Sequence, residues 1–141
     1  MKKVTIILLS ILMFFSISFA KDKHSMDHSS HKGVMIHSSV VDNYQLAYHL
    51  IDMGEHAKQS QKPVTHHMMV YGQTPHGHPI TDGKVGFLII GPDGTRQQTM
   101  AMKMGEGYGS DVNLLKGKNT IKVKMISKEK TLKDTFDYIN K

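Results

Sequence analysis

The chain has 141 residues, among them ten histidines, eleven methionines and no cysteine, and carries a formal charge of +6. The lack of thiols excludes a disulfide framework, a cysteine nucleophile and a lipid-anchored cleavage site, so stability must come from packing. The positive balance is too mild for a nucleic-acid binder, and no aromatic residue interleaves with the lysines between Lys116 and Lys133 as a base-stacking platform needs.

Residues 1–20, "MKKVTIILLSILMFFSISFA", pair two lysines with an apolar run and a small-residue end at Ser18 and Ala20. That pattern is expected to be a signal peptide cleaved after Ala20, which sends the chain across the inner membrane to a periplasmic or extracellular location. Residues 21–39 are mostly Ser, His, Lys, Asp and Met, with Val34 and Ile36 as their aliphatic residues. Such a segment buries too little apolar surface to order itself and is expected to be a flexible His/Met-rich tail. Residues 40–141 then make one domain.

Within that domain the hydrophobic period is two. Tyr44, Leu46, Tyr48 and Leu50 alternate with polar or small residues, which predicts a strand with one buried face. A polar connector, 52–63, leads to "VTHHMMVYG", whose face of Val64, His66, Met68 and Val70 is the more aliphatic and is expected to point inward. "KVGFLII" reads as a strand closed by a Pro-Asp-Gly turn, and residues 96–104 as its returning partner. "EGYGSDVNLL" supplies a short strand between glycine turns, "NTIKVKMIS" an alternating one with Lys122 and Lys124 on its wet face, and "TLKDTFDYIN" the last. A helix is the alternative for that last segment, which β-branched and aromatic residues weigh against. About seven antiparallel strands indicate an all-β, immunoglobulin-like sandwich.

All ten histidines fall between His24 and His78. Three groups form: His24, Met26, His28, His31, Met35 and His37 in the tail; His66, His67, Met68 and Met69 in the second strand; and His76 with His78 in the next loop. Imidazole binds copper, zinc and nickel, whereas thioether sulfur selects copper(I), so the mixture points to copper, with zinc or nickel able to use the histidines alone.

Met100, Met102 and Met104 occupy every second position, hence one strand face, at about 6.6 Å intervals. Lys103 suggests that the opposite face is wet, which turns the methionines toward the core or the rim. Met100, deepest in the strand, is expected in the core, and Met104, beside Gly105, is expected to be a ligand. His66, His67, Met68, Met69, Met100, Met102 and Met104 are therefore the candidate metal ligands, with His24, Met26, His28 and His31 as secondary ones. Catalysis has little support: the chain lacks a nucleophile elbow, a zinc-protease helix and a phosphate-cradling glycine loop.

The runs "HPITDGKVGFLIIGPDG", "QTMAMKMGEGYGSDVNL" and "GKNTIKVKM" resemble the YtkA-like group of small exported immunoglobulin-like domains. Pro79, Ile80, Val85, Met102, Met104, Gly107 and Tyr108 carry the resemblance, while Gly83 stands where alanine is common. It implies the sandwich fold, an extracytoplasmic setting and a link to copper handling or respiratory oxidase assembly. The expectation is a non-catalytic copper carrier or buffer whose partners are the metal ion and a membrane transporter or oxidase-assembly protein. The alternative is an interaction or assembly module for a membrane complex, with the methionines as core.

Overall fold

The computed structural model describes Met26 and residues 31–141. The expected signal peptide, His24 and His28 lie outside the described residues. The strands are β1 (Val34–Val41), β2 (Tyr44–Asp52), β3 (His66–Gln73), β4 (Lys84–Ile90), β5 (Arg96–Met104), β6 (Gly107–Val112), β7 (Gly117–Ile126) and β8 (Thr131–Asn140), with one short 3-10 helix, Gly54–Gln59, in the polar connector.

All pairings are antiparallel, in the order β1-β2-β3-β6-β5-β4-β7-β8. β5 turns the corner between the two layers: Arg96 to Ala101 pair with β4, whereas Met102 to Met104 pair with β6. One layer thus holds β2, β3, β6 and the end of β5, the other β4, β7, β8 and the start of β5, which is the connectivity of an immunoglobulin constant-type sandwich with β1 added in front. The core between the layers includes Leu46, Tyr48, Met68, Val70, Phe87, Tyr108, Ile121 and Met125. Burying each such side chain stabilises the fold by roughly 1.5–3 kcal/mol, before ordering entropy is subtracted.

The alternations in β2, β3, β4, β7 and β8 face the core as expected, and 131–140 is strand, since Leu132 and Phe136 bury themselves at strand spacing. Two expectations need correction. The segment assigned to a flexible tail, residues 21–39, contains the first six residues of β1, which pairs with β2 along its length. The hairpin joining them turns at Asp42 and Asn43, both at positive φ (50° and 68°), the backbone of a primed turn matched to strand twist.

β2 and β3 are also buried on both faces instead of one. Met26 closes over Ala47, Met69 and Tyr71 on the outer side, and the His31 ring stacks on Tyr71 with centroids 3.6 Å apart.

The open edges, β1 and β8, are stitched by side chains. Tyr48 Oη donates to Asp134 Oδ2 at 3.0 Å, and Ser39 Oγ donates to the same oxygen. His37 stacks on Phe136 with centroids 4.3 Å apart. Burial, followed by the Asp134 charge and hydrogen bond, pushes the Tyr48 phenol far above its ordinary range.

Candidate metal centre

Register decides which donors meet. In the β3–β6 ladder, His67 lies opposite Asp111, Met69 opposite Gly109 and Tyr71 opposite Gly107, and on the far side of β6 Met102 lies opposite Gly109 and Met104 opposite Gly107. These residues share the outer face of their layer, because the alternate set, Met68, Val70, Tyr108 and Val112, fills the core.

Gly109 is the floor of the arrangement. A Cβ placed there would collide with His67 Nε2 and Met69 Sδ and would touch Met104 Sδ at 3.1 Å. One nitrogen and two sulfurs therefore crowd the point where any other residue would carry its side chain. An open cavity of about 500 Å3 lies above, lined by His67, Met100, Met102, Met104, Gly109 and Asp111.

The electronics of His67 are set from behind. Its Nδ1 lies 2.7 Å from Asp111 Oδ1. A carboxylate accepts and cannot donate, so Nδ1 carries the proton and the Nε2 of the neutral ring keeps its lone pair. That Nε2 is buried and has no hydrogen-bond partner among the described residues. Its neighbours, the Met69 and Met104 thioethers, are acceptors as well, so no proton on either sulfur can satisfy it. An orphaned buried acceptor costs about 1–3 kcal/mol. Three lone-pair donors facing one another are satisfied together by a cation, and one imidazole with two thioethers suits a soft one.

The other expected ligands are placed elsewhere. Met68 is fully buried in the core, and His66, on the same inward-facing set, has its Nδ1 2.8 Å from Thr65 Oγ1. Neither points toward Gly109, because adjacent strand residues face opposite ways. Met100 is corrected too: it is 63 % exposed, alongside Met102 at 75 % and Met104 at 49 %. The inward side of β5 is instead small and polar. Ala101 packs against the core, Thr99 Oγ1 and Ser110 Oγ are 2.7 Å apart, and Gln97 Oε1 accepts from the Asn113 backbone N–H at 2.8 Å. A strand at the corner between layers can turn hydrogen-bonded polar groups inward, so the exposure of Lys103 did not make the methionine side dry.

Met26 and His31 lie on the outer face beside this centre, Met26 against Met69 and His31 on Tyr71. His76 and His78 are exposed in the β3–β4 loop, beyond the opposite end of β3 from His67.

Sequence reasoning missed Gly109 and Asp111. The glycines of "GEGYG" looked like turn residues, but only Gly105 has a positive φ, 62°. Gly107 and Gly109 are strand residues that make room for the Tyr71 ring and for the donor set. The available signal was the alternation Gly-Tyr-Gly-Ser-Asp, which puts both glycines and Asp111 on one face and Tyr108 on the other. Tyr108 is a core fastener: its Oη accepts from the Gly83 N–H at 2.7 Å and donates to the Ile80 carbonyl at 3.0 Å.

No group of three or more His, Cys, Asp or Glu suited to a metal ion occurs among the described residues, so the thioethers are what make this donor set. Comparison of the chain with protein-family models, with curated proteins and with solved structures finds no match.

Proposed function

We propose that the chain is an exported copper-binding protein, a carrier or buffer without turnover of its own, that takes copper(I) at His67, Met69 and Met104. The convergence of His67 Nε2, Met69 Sδ and Met104 Sδ over Gly109 carries this reading. His67 is fixed by Asp111, and Met69 by packing against Met26 and Tyr71. Met104 is a half-exposed, unbranched arm with freely rotating bonds, suited to closing on an ion and releasing it. Met100 and Met102, on the same strand face, line the approach. One imidazole is a poor set for zinc or nickel, so copper(I) is the favoured cargo. The YtkA-like resemblance implies a link to copper handling or respiratory oxidase assembly, so an oxidase-assembly protein or a membrane transporter is the partner class that fits a carrier.

The assembly-module alternative supposed that the methionines of β5 are core. Their exposure removes that premise.

The test is an anaerobic copper(I) titration of residues 21–141, which contain every strand, against a competing chelator. Met104→Leu keeps the bulk and removes a donor, and His67→Gln removes the imidazole. Each is expected to weaken binding at least about tenfold, the equivalent of roughly 1.4 kcal/mol. Wild-type affinity and stoichiometry in both variants would remove this centre from the protein.

A further inference from the structure

The opposite layer presents a different surface. Outward on its four strands stand Lys84 of β4, Arg96 of β5, Lys118, Lys122 and Lys124 of β7, and Lys133 of β8, while Val85, Phe87, Ile121, Val123, Leu132 and Phe136 point into the core. Among the described residues, Asp137 is the one carboxylate at an outward strand position there, engaged by Thr120 Oγ1 at 2.7 Å and Lys118 Nζ at 3.1 Å, while Asp134 also borders the face but is held by Tyr48 and Ser39. Among the described residues, no ion pair reaches Lys84, Lys122, Lys124 or Lys133. The register even sets Lys124 directly opposite Lys133. Like charges in that relation destabilise a sheet. A solvated strand face explains lysines at alternate positions; it does not explain an uncompensated cross-strand pair on a face otherwise short of carboxylates.

Between the lysines the surface is apolar. Gly86 pairs with Lys124 on one side and Met100 on the other, and Leu88 pairs with Lys122. Gly86, Leu88, Met100 and Ile126 line a shallow cavity of about 480 Å3 bordered by Lys84, Lys122, Lys124 and Lys133. From this charge pattern we propose that the outer face of β4, β5, β7 and β8 docks on an anionic lipid bilayer surface.

The ammonium groups meet headgroup phosphates, their aliphatic stems lie along the face, and Leu88, Met100 and Ile126 meet the boundary of the acyl chains. A ring of cations around an apolar centre, with Gln98 and Thr135 as the uncharged polar side chains among its lining, matches a laterally fluid anionic surface better than one rigid protein. Met100 lines this face and also the cavity above Gly109. Docking therefore brings the mouth of the candidate metal centre to the bilayer edge, a consequence that rests on the copper reading, whereas the docking itself does not.

Co-sedimentation of residues 21–141 with vesicles tests the surface without the apolar N-terminal run, which would partition into lipid by itself. Binding is expected to vesicles of mixed phosphatidylglycerol and phosphatidylcholine, not to phosphatidylcholine alone, and to fall in high salt as screening shortens the reach of charge. Lys122→Gln and Lys124→Gln together should lower partitioning about fivefold per residue, and Lys84→Gln with Lys133→Gln should do the same if the first pair disturbs the fold. Wild-type partitioning in both double variants, or equal binding to neutral vesicles, overturns the proposal. So does binding to soluble polyglutamate without binding to anionic vesicles, which would assign the face to an acidic protein. Copper(I) titration of the lysine variants separates the two readings, since it should match wild type.

Discussion

Gly109 offers the most direct test at the scale of a residue, because its missing side chain is the space the three donors share. Gly109→Ala is expected to push His67 Nε2 and Met69 Sδ apart and weaken copper(I) binding at least about tenfold, with a stability cost of only about 1–3 kcal/mol from overpacking. Competition titration and a denaturation curve read the two effects separately; unaltered affinity would mean that the ion sits elsewhere. Asp111→Asn tests the hold on His67. Loss of a carboxylate behind a metal-binding imidazole typically costs 10–100-fold in affinity, and the same titration measures it. The sequence made His67, Met69 and Met104 visible as soft and borderline donors. It did not separate them from Met68, His66 and Met100, because chemistry alone does not say which strand face is outside.

At the scale of an element, the seam between β1, β2 and β8 depends on Tyr48 and Asp134. Tyr48 is buried with its hydroxyl on a carboxylate, so its folded-state pKa lies above the unfolded value of 10.0. The unfolded chain therefore releases this proton first, and the stability tied to neutral Tyr48 is complete below about pH 10 and declines as pH rises beyond it. Denaturation midpoints measured across that window should fall in the wild type, at up to about 1.36 kcal/mol per pH unit from this group. Tyr48→Phe should flatten that part of the fall while costing about 1 kcal/mol at neutral pH for the lost hydrogen bond. An equal alkaline decline in both proteins would place the linkage in another group. β1 was the element the sequence concealed, because Ser38, Ser39 and the bulge near His37 break its alternation. Asp42-Asn43 was the overlooked signal, since these residue types tolerate the positive φ of a primed hairpin turn.

For the whole molecule, the boundary between tail and domain becomes a measurable quantity. Removal of the chain through Val41 strips β1 from β2 and exposes the Tyr48–Asp134 seam. This truncation is expected to cost more than about 3 kcal/mol, or to prevent folding, because it leaves Tyr48 and Asp134 without their cover and opens the core beside Leu46 and Leu50. A chain starting at Asp42 with wild-type stability would restore the reading of 21–39 as a tail. The sequence by itself determined an all-β, thiol-free domain with most strand positions, because period-two alternation and Gly, Pro and Asn turns are local properties. It also determined that nitrogen and sulfur donors would be abundant. Tertiary structure alone decided that β1 belongs to the sheet, that β5 turns its methionines outward, and that three donors meet over Gly109. Those outcomes depend on which strands pair and in what register, and pairing is a contact between distant segments that no local pattern encodes.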